Sequence, residues 1–131
     1  MAYQYRVLVI NPGSTSTKVS LFEDYEQTLS ETIRHSDDDL SGFPNITSQY
    51  EFREKIILDM LKRNGVPVDS IHAVVGRGGL LHFLEGGTYA VNELMKKHLF
   101  EGVMGEHASN LGGLIASAIA DEIGVPSFIV D

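Results

Sequence analysis

The sequence contains no cysteine and no tryptophan, only four prolines, and ten lysine and arginine residues against eighteen aspartate and glutamate residues. Each shortage removes a class of function. Without cysteine there is no disulfide framework, no thiolate metal site and no thiol nucleophile. A formal net charge of −8 repels polyanions, so neither a nucleic-acid surface nor an anionic-membrane surface is expected. A small anionic ligand must then be held by local donors. Long hydrophobic runs are missing as well: Val7-Leu8-Val9-Ile10 is far too short to span a bilayer, and no basic segment with a signal core opens the chain. The default expectation is a soluble cytoplasmic protein. At 131 residues and 43% hydrophobic content the chain can bury one ordinary core, which implies a single α/β domain.

What is present alternates between strand and helix patterns. Residues 7–10 form a β-branched-rich run that stops at Asn11-Pro12-Gly13, and residues 18–22 resume as a second strand. Residues 26–34 alternate as a third, completing an antiparallel meander. Residues 36–44 are acidic and rich in turn formers, so they read as an exposed connection, with Asp37, Asp38 and Asp39 solvated rather than gathered on a metal. Ser48 and Glu51 have capping-box spacing before Phe52, Ile56, Ile57, Met60 and Leu61, a helical stripe that Asn64-Gly65 and Pro67 terminate. Residues 71–76 form an apolar strand that runs into Arg77-Gly78-Gly79 and a glycine-rich loop. A short helix over 91–100 precedes a longer one marked by Leu111, Leu114, Ile115, Ala118, Ile119 and Ile123, ended by Gly124 and Pro126. The small residues Gly112, Gly113, Ala116, Ser117 and Ala118 would let that helix approach a neighbour closely. Residues 127–131 close the chain as a strand. The order β-β-β-α-β-α-α-β predicts a mixed sheet with helices on its faces.

The polar residues suited to chemistry fall at strand ends and loop starts. Asn11-Pro12-Gly13-Ser14-Thr15-Ser16-Thr17-Lys18 brings a glycine, four hydroxyls and an ammonium into one turn, whose successive N–H groups can cradle phosphate oxygens. It lacks the second glycine of a Walker loop and continues into a strand, so a phosphate-binding β-hairpin is the better reading. A plain hydrophilic hairpin is the alternative. Arg77 ends an apolar strand beside Gly78 and Gly79, where a ligand can approach a guanidinium fork that binds carboxylate or phosphate bidentately. His107 lies just before the small-residue helix, where an imidazole can donate to a transferring phosphoryl group. His35, His72, His82 and His98 read as ordinary polar residues without convergent neighbours. Asp131 ends a strand, a position suited to holding Mg²⁺ or orienting a nucleophile.

Taken in order, the segments at 7–18, 74–79, 105–112 and 128–131 resemble the acetate kinase family, and within it the butyrate kinases. The resemblance spans essentially the whole chain. It implies an actin-like, ribonuclease-H-like fold, with residues 1–131 as the amino-terminal lobe of a two-lobed carboxylate kinase and the carboxyl-terminal lobe outside them. It also implies ATP and Mg²⁺ as cofactors and a short-chain carboxylate, butyrate or a branched acid, as substrate. Carried over by motif, Asn11 would sit near the transferring phosphoryl and the metal, and Gly13, Ser14, Ser16 and Lys18 would form the phosphate loop. Arg77 would bind substrate or phosphoryl, His107 would stabilise the phosphoryl in transit, and Asp131 would help place Mg²⁺. Gly78 and Gly79 would leave room for extra methylenes in the substrate pocket. The complete enzyme would be a homo-oligomer, and this lobe alone would be inactive and prone to self-association through an uncovered apolar face. Two other readings remain at this stage: a non-catalytic assembly module of the same fold, and a sugar-type kinase lobe with Asp131 as base.

Overall fold

The computed structural model describes residues 3–77, 87–101 and 108–130. Three antiparallel strands come first: β1 (Arg6–Pro12), β2 (Ser16–Glu23) and β3 (Glu26–Arg34). The β2–β3 turn is tight enough to hold Asp24 at φ 56, and its carboxylate accepts the N–H groups of Gln4 and Tyr5. One helical turn, α1 (Asp37–Leu40), is followed by a long helix, α2 (Tyr50–Arg63). Strand β4 (Ala73–Arg77), a short strand β5 (Thr88–Ala90), helices α3 (Glu93–Glu101) and α4 (Asn110–Ile123), and strand β6 (Ser127–Val130) complete the order.

The strands form one six-stranded sheet in the order β3-β2-β1-β4-β6-β5. β4 runs parallel to β1, and β6 parallel to β4, so the carboxyl ends of β1, β4 and β6 share one edge of the fold. Period-two alternation sends Leu8, Ile10, Val19, Leu21, Val74 and Ile129 to one face. Against it pack Ile57, Met60 and Leu61 of α2 and Leu111, Ile115 and Ile119 of α4, all buried. Each such side chain contributes roughly 1.5–3 kcal/mol by leaving water.

The small residues of α4 have a definite partner. A Cβ on Gly76 would lie 2.2 Å from the carbonyl oxygen of Gly112, and one on Gly112 would lie 2.3 Å from that of Arg77. The helix therefore rests backbone to backbone on the end of β4. Its own carboxyl end is closed by Gly124 at φ 72, with Val125 N–H donating to Ala120 O.

Three expectations from sequence need correction. The acidic stretch after β3 is not wholly irregular: Ser36 accepts from Asp39 N–H, and the Asp39 carboxylate accepts from Ser36 N–H, a capping box that winds α1. Ser48 and Glu51 do not form one. Ser48 lies inside a 3₁₀ turn (Thr47–Gln49) whose N–H is capped by Asn45 Oδ1, and α2 starts after that turn without a side-chain cap. Residues 88–90, read as loop, pair antiparallel with β6 and form an edge strand, where backbone pairing rather than side-chain pattern decides.

Candidate active site

The β1–β2 hairpin is built by register. Asn11 faces Lys18 and Pro12 faces Thr17, leaving Gly13, Ser14 and Thr15 to turn the chain, with Gly13 N–H donating to Ser16 O at 2.7 Å. Ser14 and Thr15 are exposed. Behind the turn lies Arg53 of α2, whose side chain is fully buried. Nη1 donates to Gly13 O at 2.6 Å, to Ser16 O at 2.9 Å and to Thr17 Oγ1 at 3.3 Å; Nη2 donates to Ser14 O at 3.1 Å. Gln49 Oε1, one helical turn earlier, accepts from Nε and Nη2. Burial pulls the Arg53 pKa down to about 10, which still leaves it cationic at neutral pH.

His35 joins the same network, contrary to its reading as a residue without convergent neighbours. It is buried, its Nε2 is 2.8 Å from Thr17 Oγ1, and its ring stands edge-on to Phe52. Arg53 already donates to that hydroxyl, so the Thr17 proton is free to point at a neutral His35. Burial lowers the His35 pKa, the Arg53 charge lowers it further, and Asp39 opposes them. The unfolded chain therefore binds a proton near pH 6.5 that the folded chain resists. Stability from this group is complete above that pH and falls as pH drops toward the folded-state value. Chemical denaturation at pH 7 and pH 5 is expected to show a smaller acid loss for His35→Asn than for the parent; equal losses would contradict it.

A second group lies across the sheet. One step past the Ile10–Gly76 pair, Asn11 ends up level with Arg77, which in turn pairs with Val130 on β6, while Asn11 faces Lys18 on β2. Lys18, Asn11 and Arg77 thus form a row at the carboxyl-end edge of the parallel strands, where ligands of open α/β sheets bind. All three are exposed, and among the described residues none of their side chains has a hydrogen-bond or ion-pair partner. Asn11 and Arg77 also line an open cavity of about 550 Å³ whose floor is Val7, Val9, Phe22 and Val75. Of the other residues selected from sequence, Gly13, Ser14 and Ser16 are in the hairpin, and Gly78, Gly79, His107 and Asp131 lie outside the described residues. Among the described residues no three histidine, aspartate or glutamate side chains gather as a metal site.

No family model matches the chain. Butyrate kinase 2 of Clostridium acetobutylicum is 55% identical to it over 128 residues, which is 98% of this chain and 36% of that protein. Butyrate kinase 1 of the same organism is 52% identical over 127 residues, 97% of this chain and 36% of that protein. The chain is a homologue of the butyrate kinases. It spans 36% of the length of these curated relatives. Acetate kinase from Entamoeba histolytica superposes with a TM-score of 0.58 at 19% identity, over 95% of this chain and 34% of that one. At that identity the likeness concerns the fold alone, a mixed six-stranded sheet with helices packed on it, shared with that acetate kinase.

What sequence reasoning missed in this butyrate kinase homologue is Arg53. A signal was present: Arg53 occupies the α2 stripe that continues through Ile57 and Leu61, where an apolar residue is the rule. No helix among the described residues is long and apolar enough to cross a membrane.

Proposed function

We propose that the chain forms the amino-terminal lobe of a two-lobed kinase that phosphorylates a short-chain carboxylate, butyrate or a branched acid, from ATP. The observation that carries this reading is the row of Lys18, Asn11 and Arg77 beside a hydroxyl-rich hairpin, in a chain half identical to butyrate kinases. A carboxylate is already ionised at neutral pH, so no strong base and no protein nucleophile is needed. The demand is for charge stabilisation and alignment.

In this reading the exposed N–H groups and hydroxyls of the hairpin hold terminal phosphate oxygens, with Lys18 adding a positive charge. Arg77 binds the carboxylate or the phosphoryl group with its planar fork. The apolar floor of the cavity takes the alkyl tail, so preference among acids is graded, about 1–3 kcal/mol per methylene contact. Asn11 offers a neutral oxygen at the row, which suits a cation whose other ligands are phosphate oxygens and water. Asn11 and Asp131 would hold Mg²⁺, which when bound neutralises phosphate charge. His107 would donate to the phosphoryl in transit. A cytoplasmic location, where ATP is at hand, belongs to the same reading, as does assembly of the complete enzyme into a homo-oligomer.

The test has two arms. A chimera in which this chain replaces the matching residues of Butyrate kinase 2 of C. acetobutylicum is expected to form butyryl phosphate, trapped as the hydroxamate. The 131-residue chain alone is expected to form none, since half a cleft neither excludes water nor closes over nucleotide. A folded but inactive chimera would overturn the kinase reading; turnover by the chain alone would overturn the two-lobe reading.

A further inference from the structure

A buried guanidinium normally sits against a carboxylate. Arg53 does not: its donors end on Gln49 Oε1, Thr17 Oγ1 and the carbonyl oxygens of Gly13, Ser14 and Ser16, and no anionic partner occurs among the described residues. The carbonyls matter more than their number. In a trans peptide the C=O and N–H of one unit point in opposite directions, and no peptide among the described residues is cis. Gly13 O shares its plane with Ser14 N–H, and Ser14 O shares its plane with Thr15 N–H. With both oxygens drawn inward onto Arg53, the N–H groups of Ser14 and Thr15 are turned outward. Both residues are exposed, and neither N–H donates to any acceptor among the described residues.

We propose that Arg53 is a positioning residue for phosphate binding: its fork sets the peptide planes of the hairpin so that Ser14 and Thr15 present an anion nest, and the bound phosphate is its counter-charge across the turn. Gln49 holds the fork from behind through two hydrogen bonds, and Thr17 ties it to the base of β2. The device is unlike a direct ligand, because the guanidinium faces the carbonyl side of the turn and touches the anion only through two peptide units. A lysine at 53 would keep the charge and lose the fork, since a single ammonium cannot hold three carbonyls and a side-chain amide at once. The inference deepens the kinase reading and rests on the hairpin binding phosphate, yet it needs no turnover to be examined.

The experiment is an NMR titration of the 131-residue chain with inorganic pyrophosphate, following the amides of Ser14 and Thr15, with melting temperature measured alongside. In the parent chain these two amides are expected to shift on titration. Arg53→Lys is expected to melt within a few degrees of the parent, to move the Ser14 and Thr15 amide resonances even without pyrophosphate, and to weaken binding at least tenfold. Arg53→Met is expected to show no saturable shift. Should both fail to fold, Gln49→Met leaves the arginine in place and frees its fork, and a several-fold loss of affinity is expected. A folded variant at position 53, or failing that Gln49→Met, that binds within twofold of the parent overturns the proposal while leaving the phosphate hairpin intact. If the parent chain itself shows no shift at Ser14 and Thr15, the phosphate reading of the hairpin falls, and the counter-charge role falls with it.

Discussion

Replacing Arg77 by alanine in the kinase chimera is expected to lower kcat/KM for the carboxylate about 10³-fold, the scale of removing a preorganised donor from a charge-stabilising site. The expectation follows from where β4 ends. Parallel pairing with β1 and β6 brings Arg77 level with Asn11 and beside Val130, at the mouth of the open cavity. Among the described residues its guanidinium has no carboxylate to neutralise it, so it stands ready for an anionic ligand. Arg77→Lys should recover only a small part of the loss, because a point charge does not reproduce two parallel hydrogen bonds to one carboxylate. Arg63→Ala is the control: that arginine is exposed and pairs with Glu31 at 2.9 Å, away from the row, and its loss should leave kcat/KM within twofold. A loss below tenfold for Arg77→Ala, or an equal loss for Arg63→Ala, would remove Arg77 from the site.

The largest expected effect on stability belongs to a residue with no side chain. Gly76→Ala would put a methyl 2.2 Å from Gly112 O and 2.9 Å from Gly113 N, so the obstacle is helix backbone rather than a side chain that can rotate away. Relief requires α4 to lift from β4, which would loosen the contacts of Ile115 and Ile119 with the sheet. Overpacking of this kind costs about 3 kcal/mol or more, and for a domain of this size each kcal/mol lowers Tm by roughly 4 °C. A fall of at least about 10 °C is therefore expected by calorimetry. Gly124→Ala offers the comparison: nothing lies within 4 Å of its Cβ position, and only the left-handed backbone at φ 72 opposes it, a cost of about 1 kcal/mol. If the two variants melted together, the close approach of α4 to β4 would not be what the glycines are for.

The amino-acid order alone determined most of the frame. β-branched alternation placed β1 to β4 and β6, apolar residues at helical spacing placed α2 and α4, and glycine followed by proline marked where both helices end. These are local signals, since each depends on which face of an element meets water. The same order singled out the hairpin and Arg77 by combination, since glycine and hydroxyls are common in any turn and only their succession with an arginine at a strand end made the pair distinctive. Edge strand β5 escaped, having only three residues, too few for a period-two pattern to register in the sequence. Ser48 and Glu51 misled, because Asn45 reached the relevant N–H first.

Tertiary structure alone decided what stands behind the hairpin and what stands beside it. Arg53 is 40 residues from Gly13, and His35 is 18 from Thr17, yet the packing of α2 beneath the hairpin brings the first onto the turn, and the β2–β3 register, extended by His35 N–H donating to Thr15 O, brings the second. The row of Lys18, Asn11 and Arg77 likewise exists only through one antiparallel and one parallel register. The physical reason is the same in each case. A backbone carbonyl or a strand register carries no mark in the residue names, so donors that meet across it become visible only when the chain is folded.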